Sequence, residues 1–173
     1  MTTEYINYFA YGSNLLPLRL SQRVASSRSL GQAVLPGYRL AFHKKGADAS
    51  AKCNVFQSGS GEHQVYGVVY QMLASERVLL DQAESLGAGY DLVWQDIELR
   101  GEPTRVFFYQ APAGYIDDSL LPYHWYKQLV VQGARYHRLP ETWLELLQQV
   151  ESRQDPDRER DALHQRILEA ARG

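Results

Sequence analysis

The feature that most limits what this chain can fold into is a series of short β-branched and aromatic runs, at 6–11, 38–42, 53–56, 65–70, 92–99 and 105–109. Runs of this kind suit a pleated, half-buried surface. Turn-forming stretches cut them apart: Pro36-Gly37, Ser58-Gly59-Ser60-Gly61 and Gly101-Glu102-Pro103. Residues 43–51 read as a polar loop. Helical signals lie between and after the strands. Pro17 can open a short helix containing Leu18, Leu20 and Val24. Ser75 can cap another, in which Val78, Leu79 and Ala83 form one stripe while Leu80 and Glu84, one turn apart, share a second face. Segments 122–134 and 141–150 follow on either side of Leu139-Pro140, the latter with Trp143, Leu144 and Leu147 at helical spacing. This pattern predicts an α+β protein with a twisted or barrel-like sheet. At 173 residues one hydrophobic core suffices, so a single domain over 1–173 is expected. Within it, 157–171 is expected to be a C-terminal amphipathic helix with Leu163, Ile167 and Ala170 on one side.

Composition narrows the function classes. A formal net charge of -2 and a pI near 6.2 leave no basic footprint for nucleic acid. The single cysteine, Cys53, rules out an internal disulfide and a cysteine-based metal site, and fits a reducing compartment. No window approaches the roughly 20 apolar residues of a bilayer span, and Met1-Thr2-Thr3-Glu4 lacks the basic start of a secretory signal. The expectation is a soluble cytoplasmic protein with no membrane and no nucleic-acid partner. The five histidines show no paired metal-ligand spacing, so no metal and no cofactor are expected.

Chemistry is expected first at residues 8–15, Tyr8-Phe9-Ala10-Tyr11-Gly12-Ser13-Asn14-Leu15. There an apolar strand runs into a Gly-Ser-Asn turn ahead of a helix start. Such a junction can leave backbone N–H groups aimed at one point, which suits an anion or a developing oxyanion. It carries none of the glycine spacing of a nucleotide-phosphate loop. Ser13 lacks a nucleophile elbow and shapes the turn. Tyr8, Tyr11, Tyr90, Tyr123 and Tyr126 can together line a polar pocket, although each alone reads first as a core or rim residue. Glu84, at the end of its helix, is a candidate general base. A carboxylate desolvated in an apolar pocket has its pKa raised toward neutrality, as that role requires. The ordinary fate of a glutamate near a helix end is solvation, and Asp81 is the rival carboxylate. Cys53 with His43 or His63 is the alternative nucleophilic pair, but a lone cysteine is commonly an inert core residue.

The octapeptide at 8–15 together with Glu84 in Leu80-Asp81-Gln82-Ala83-Glu84 resembles the γ-glutamylcyclotransferase family. The likeness continues through Val55-Phe56-Gln57-Ser58, Val65-Tyr66-Gly67-Val68-Val69-Tyr70 and the segment Tyr126-Lys127, Gly133-Ala134, Leu139-Pro140, covering about residues 5–150. The resemblance implies a small mixed β-barrel flanked by α-helices. It also implies a reaction in which the α-amine of a small γ-glutamyl substrate attacks its own γ-carbonyl, releasing an amino acid or amine and 5-oxoproline. Glu84 would take a proton from the α-ammonium and return one to the departing nitrogen. Tyr8, Phe9, Ala10, Tyr11, Gly12, Ser13, Asn14, Tyr90 and Tyr126 would form the substrate site. The family often has glycine directly after the glutamate, where this chain has Ser85; the nearby Gly87 and Gly89 are expected to supply the turn instead. Two alternatives stand beside this reading: a cyclotransferase for a γ-glutamylamine or a γ-glutamyl-protected biosynthetic intermediate, and a non-catalytic module that binds a small ligand. A monomer or a homodimer is compatible with all three.

Overall fold

The computed structural model describes residues 2–173. Five strands form a mixed sheet in the order β2 (Arg28–Pro36), β5 (Gln64–Leu73), β1 (Tyr5–Ala10), β7 (Glu102–Gln110), β6 (Asp91–Leu99). β5 runs antiparallel to both β1 and β2, whereas β1 meets β7 in parallel at Tyr8 and Phe107. The two edges curl toward each other. Arg100, just past β6, donates a hydrogen bond to the Leu30 carbonyl on β2. The expected small mixed barrel is therefore a curled half-barrel sheet. A separate hairpin, β3 (Tyr38–Lys45) with β4 (Ala51–Gln57), pairs antiparallel and joins the core through Tyr38, Cys53 and Val55.

The apolar runs lie within strands, save Tyr11, which follows the end of β1; β2, which is not among those runs, and the turn of the β3–β4 hairpin differ from the reading above. β2 begins at Arg28, well before its apolar end, because this edge strand pairs on one side only and its outer residues are polar. The loop expected at 43–51 is shorter, 46–50, because strand takes both of its ends. The ladder of β3 with β4 continues to Lys45 and Ala51 past an irregularity between Phe42 and Lys44, where His43 is the unpaired residue. A bulge re-aims the side chains beside it, and both His43 and Lys44 are buried.

The helices are α1 (Pro17–Ser21), α2 (Arg77–Ala83), α3 (His124–Tyr136), α4 (Glu141–Gln148) and α5 (Arg158–Arg172). Ser75 does not cap α2; it lies in a 3-10 turn, Ala74–Glu76, which leads into the helix. The stripe that α2 buries is that of Leu80, fully buried, and Glu84; Val78 and Leu79 face outward at 53% and 46% exposure. The face of α5 is also shifted. His164 and Leu168 are buried, with Ile167 and Ala171 beside them, while Leu163 is exposed. An interior ion pair and an aromatic stack, described below, override the purely apolar stripe. α5 docks on α3, where Gln132 donates to the Leu168 carbonyl at 3.2 Å.

Candidate active site

β1 ends at Ala10, and the chain turns through Tyr11 and Gly12 into a 3-10 turn, Ser13–Leu15. The N–H groups of Ser13 and Asn14 open that turn, so they have no carbonyl partner within it, and they make no other backbone hydrogen bond among the described residues. The turn is held from two sides. A Cβ at Gly12 would sit 3.1 Å from the Cβ of Cys53 and 3.5 Å from the Tyr126 hydroxyl, and one at Gly133 would sit 2.6 Å from both Leu15 Cβ and Leu16 N. Only glycine lets β4 and α3 close on the turn so tightly.

Glu84 comes from the far end of α2. Its Oε1 accepts from Asn14 Nδ2 at 2.8 Å and from Arg23 Nη1 at 2.7 Å. Arg23 Nη1 also donates to Asn14 Oδ1 at 3.0 Å, and Asn14 Nδ2 reaches the Tyr8 hydroxyl at 3.1 Å. The carboxylate thus lies in a polar network, not an apolar pocket, with a side chain only 16% exposed. Oε2 accepts no hydrogen bond among the described residues. The end of α2 is fixed by the Tyr109 hydroxyl, which donates to Asp81 Oδ1 at 2.6 Å. Asp81 is thereby engaged, also with Arg77 at 3.3 Å, and forms no part of the cavity wall.

A cleft of about 280 Å³ opens beside this network. Tyr8, Tyr11, Gly12, Ser13, Asn14 and Glu84 line it, as do Tyr90 and Tyr126. Cys53 and Tyr109 complete the wall. Phe9 and Ala10 do not reach it. Side chains alternate along a strand, so Phe9 leaves the opposite face of β1, its ring against Gly67 and edge-on to Phe108, and Ala10 is buried at the strand end. Burial pushes the hydroxyls of Tyr8, Tyr11, Tyr90 and Tyr126 up, so they stay protonated. All four are tied down: Tyr8 accepts from Asn14 Nδ2, Tyr11 donates to the Tyr109 carbonyl, Tyr90 donates to the Cys53 carbonyl at 2.5 Å, and Tyr126 accepts from the Cys53 N–H at 2.9 Å. Tyr123 lies elsewhere, donating to the Asp48 carbonyl at 2.7 Å.

The alternative cysteine–histidine pair is not assembled. His43 faces Asp118 Oδ1 at 2.9 Å and Asn54 Nδ2 at 3.0 Å, and His63 is exposed in the β4–β5 turn. Ser85 corrects another expectation. It adopts a positive φ of 54° itself, with Gly87 at 82°, whereas Gly89 is not in that region. The left-handed turn after Glu84 is made by serine as well as glycine.

Outside the cleft lies a wider vestibule of about 810 Å³, which sequence reasoning did not anticipate. Arg19, Arg23, Lys44, Lys52 and Arg160 all border it. They come from α1 and the segment after it, both strands of the β3–β4 hairpin, and α5. No motif unites them, although the four-residue spacing of Arg19 and Arg23 after the turn is a signal that one helix-like face carries both. No group of three or more metal-ligating side chains occurs among the described residues.

A family model described as "Gamma-glutamyl cyclotransferase, AIG2-like" matches residues 8–128, which span the turn, Glu84 and Tyr126. The chain belongs to this family. Among its relatives, the gamma-glutamylcyclotransferase of Homo sapiens is 29% identical over 153 residues, covering 86% of this chain and 80% of that protein. The protein of the same name from Bos taurus is 30% identical over 158 residues, with the same coverage. A solved structure of a gamma-glutamyl cyclotransferase superposes with a TM-score of 0.82 at 25% identity, covering 94% of this chain and 99% of that one. No helix is long and apolar enough to cross a membrane.

Proposed function

We propose that this family member is a γ-glutamyl cyclotransferase that converts a γ-glutamyl compound to 5-oxoproline and a free amino acid or amine. One observation carries the reading: the Glu84 carboxylate is bound to the side chain of Asn14, within the same turn whose free N–H groups border the cleft. Base and oxyanion donors are thus held within one hydrogen-bonded unit. In the reaction the α-nitrogen forms a bond to the γ-carbonyl carbon as the bond from that carbon to the leaving nitrogen breaks. The ammonium loses two protons and the leaving amine gains two, so no water is consumed.

Arg23 and Asn14 occupy Oε1, which leaves Oε2 to take the proton from the ammonium and return it to the departing nitrogen. The N–H groups of the 12–14 turn face the carbonyl oxygen as it gains charge, and loss of one such donor typically costs about 10²-fold or more. Tyr8, Tyr11, Tyr90 and Tyr126 fix the glutamyl chain. Since nucleophile and electrophile share one molecule, freezing the reactive conformer supplies much of the rate; effective molarities can reach about 10⁵ M or more. No cofactor is needed, the chain works as one domain over 1–173, and the lone buried thiol accords with a cytoplasmic setting.

The test is release of 5-oxoproline from a panel of γ-glutamyl amino acids and γ-glutamylamines, with the Glu84→Gln variant in parallel. The expected result is turnover by the wild type and a loss of about 10²- to 10⁴-fold in the variant at unchanged fold. Equal activity in the two proteins would remove Glu84 from the mechanism.

A further inference from the structure

Most cations around the vestibule have carboxylate partners. Arg23 pairs with Glu84 at 2.7 Å, Lys52 with Asp48 at 2.9 Å, and Arg160 with Asp155 at 2.6 Å. Lys44 has none among the described residues, yet it is only 8% exposed. It is placed with care nonetheless. Its Nζ lies over the Tyr90 ring, 4.6 Å from the centroid, and a Cβ on Gly89 would come within 2.8 Å of it. The bulge at His43 brings Lys44 directly opposite Lys52 in the hairpin register. Like charges placed opposite each other across a hairpin destabilise it, and burying an ammonium without a partner adds to that cost. Arg19 adds a third cation, its buried Nε lacking any hydrogen bond. Formal charges in the vestibule wall thus sum to a positive excess in a chain whose net charge is -2.

Resting on the cyclotransferase reading, we propose that Lys44, backed by Lys52 and Arg19, binds a carboxylate on the departing half of the substrate. This protein therefore selects γ-glutamyl amino acids over γ-glutamylamines. The glutamyl part occupies the inner cleft beside Glu84, and Lys44 borders only the outer space that the leaving group must cross. A hydrogen-bonded charge pair there corresponds to a preference of about 10- to 100-fold, which weakens as salt rises. A neutral alkylamine leaving group gains nothing from it.

The experiment compares γ-glutamylalanine with γ-glutamylethylamide, which differ only by the carboxylate of the leaving group. Two ratios are read: kcat/KM in the wild type, and Kd by equilibrium titration of the Glu84→Gln variant, which does not depend on turnover. We expect both to favour γ-glutamylalanine by about 10- to 100-fold. Both should fall toward 1 on adding Lys44→Met and recover in part with Lys44→Arg. Ratios near 1 in proteins that still release 5-oxoproline would overturn the carboxylate site while leaving cyclisation standing. Absence of 5-oxoproline together with a Lys44-dependent Kd ratio would overturn cyclisation while upholding the carboxylate site. Binding of neither compound would count against both.

Discussion

The Cys53 thiol sits in the wall of the cleft, yet burial pushes its pKa up to about 12, against a smaller lowering from the Tyr126 hydroxyl. Since the thiolate is the reactive form, only about one molecule in 10⁴ carries it at pH 8. Iodoacetamide should therefore leave activity intact at that pH and label Cys53 only once the chain is unfolded, as mass spectrometry would show. Rapid labelling of the native protein, with loss of activity, would mean that the thiol is far more exposed. Glu84, by contrast, could be singled out in the sequence as a candidate base, because its motif marked it, and the fold brings it to the wall of the cleft beside Asn14. Arg23, Lys44 and Arg19 could not. Their meaning arises only when α1, the β3–β4 hairpin and α2 are brought to one point, and a one-residue bulge decides where Lys44 faces. Phe9 and Ala10 show the converse: membership of a contiguous motif did not put their side chains in the wall, since strand alternation and burial settle that.

Among the elements, α3 packs on the 13–16 turn with little tolerance. Replacing Gly133 with alanine improves intrinsic helix propensity by about 1 kcal/mol. The new methyl would lie 2.6 Å from Leu15 Cβ and from the Leu16 backbone nitrogen, and overpacking of that kind costs about 1–3 kcal/mol. The clash should win or break even in urea unfolding, while kcat/KM drops at least tenfold, because the turn that bears Asn14 is what yields. A variant more stable than the wild type with full activity would show that this contact has slack. The strands other than β2, and the existence of α2–α5, were readable from periodicity. The buried faces of α2 and α5 were not, because polar side chains, Glu84 in one and His164 in the other, occupy positions where an apolar stripe is the simpler expectation.

At the scale of the whole molecule, α5 is fastened by one acid. Asp155 accepts from Arg160 Nε at 2.7 Å and Nη2 at 2.6 Å, and from Trp125 Nε1 at 2.8 Å; His164 stacks on Trp125 with ring centroids 3.6 Å apart. The Arg160 hydrogen bonds, more than any other contact, hold the Asp155 carboxyl well below the usual carboxylate range. A carboxyl depressed in the folded state stabilises the fold above its unfolded pKa of about 4 and loses that contribution as pH falls toward the folded value. Asp155→Asn should accordingly lower the Tm at pH 7 and flatten its decline between about pH 4 and 2, measured by tryptophan fluorescence; an unaltered acid limb would remove Asp155 from this role. The sheet order carries a different consequence, for synthesis. Of the strands of this sheet β1 is made before the others, but it is the central one, pairing with β5 at Gln64–Leu73 and β7 at Glu102–Gln110. Its aromatic residues must stay unpaired while most of the chain is still being made, and long-range pairing of this kind forms slowly and exposes the intermediate to aggregation. The segment that bears the site motif is therefore also the stretch that a nascent chain most needs to keep from its neighbours.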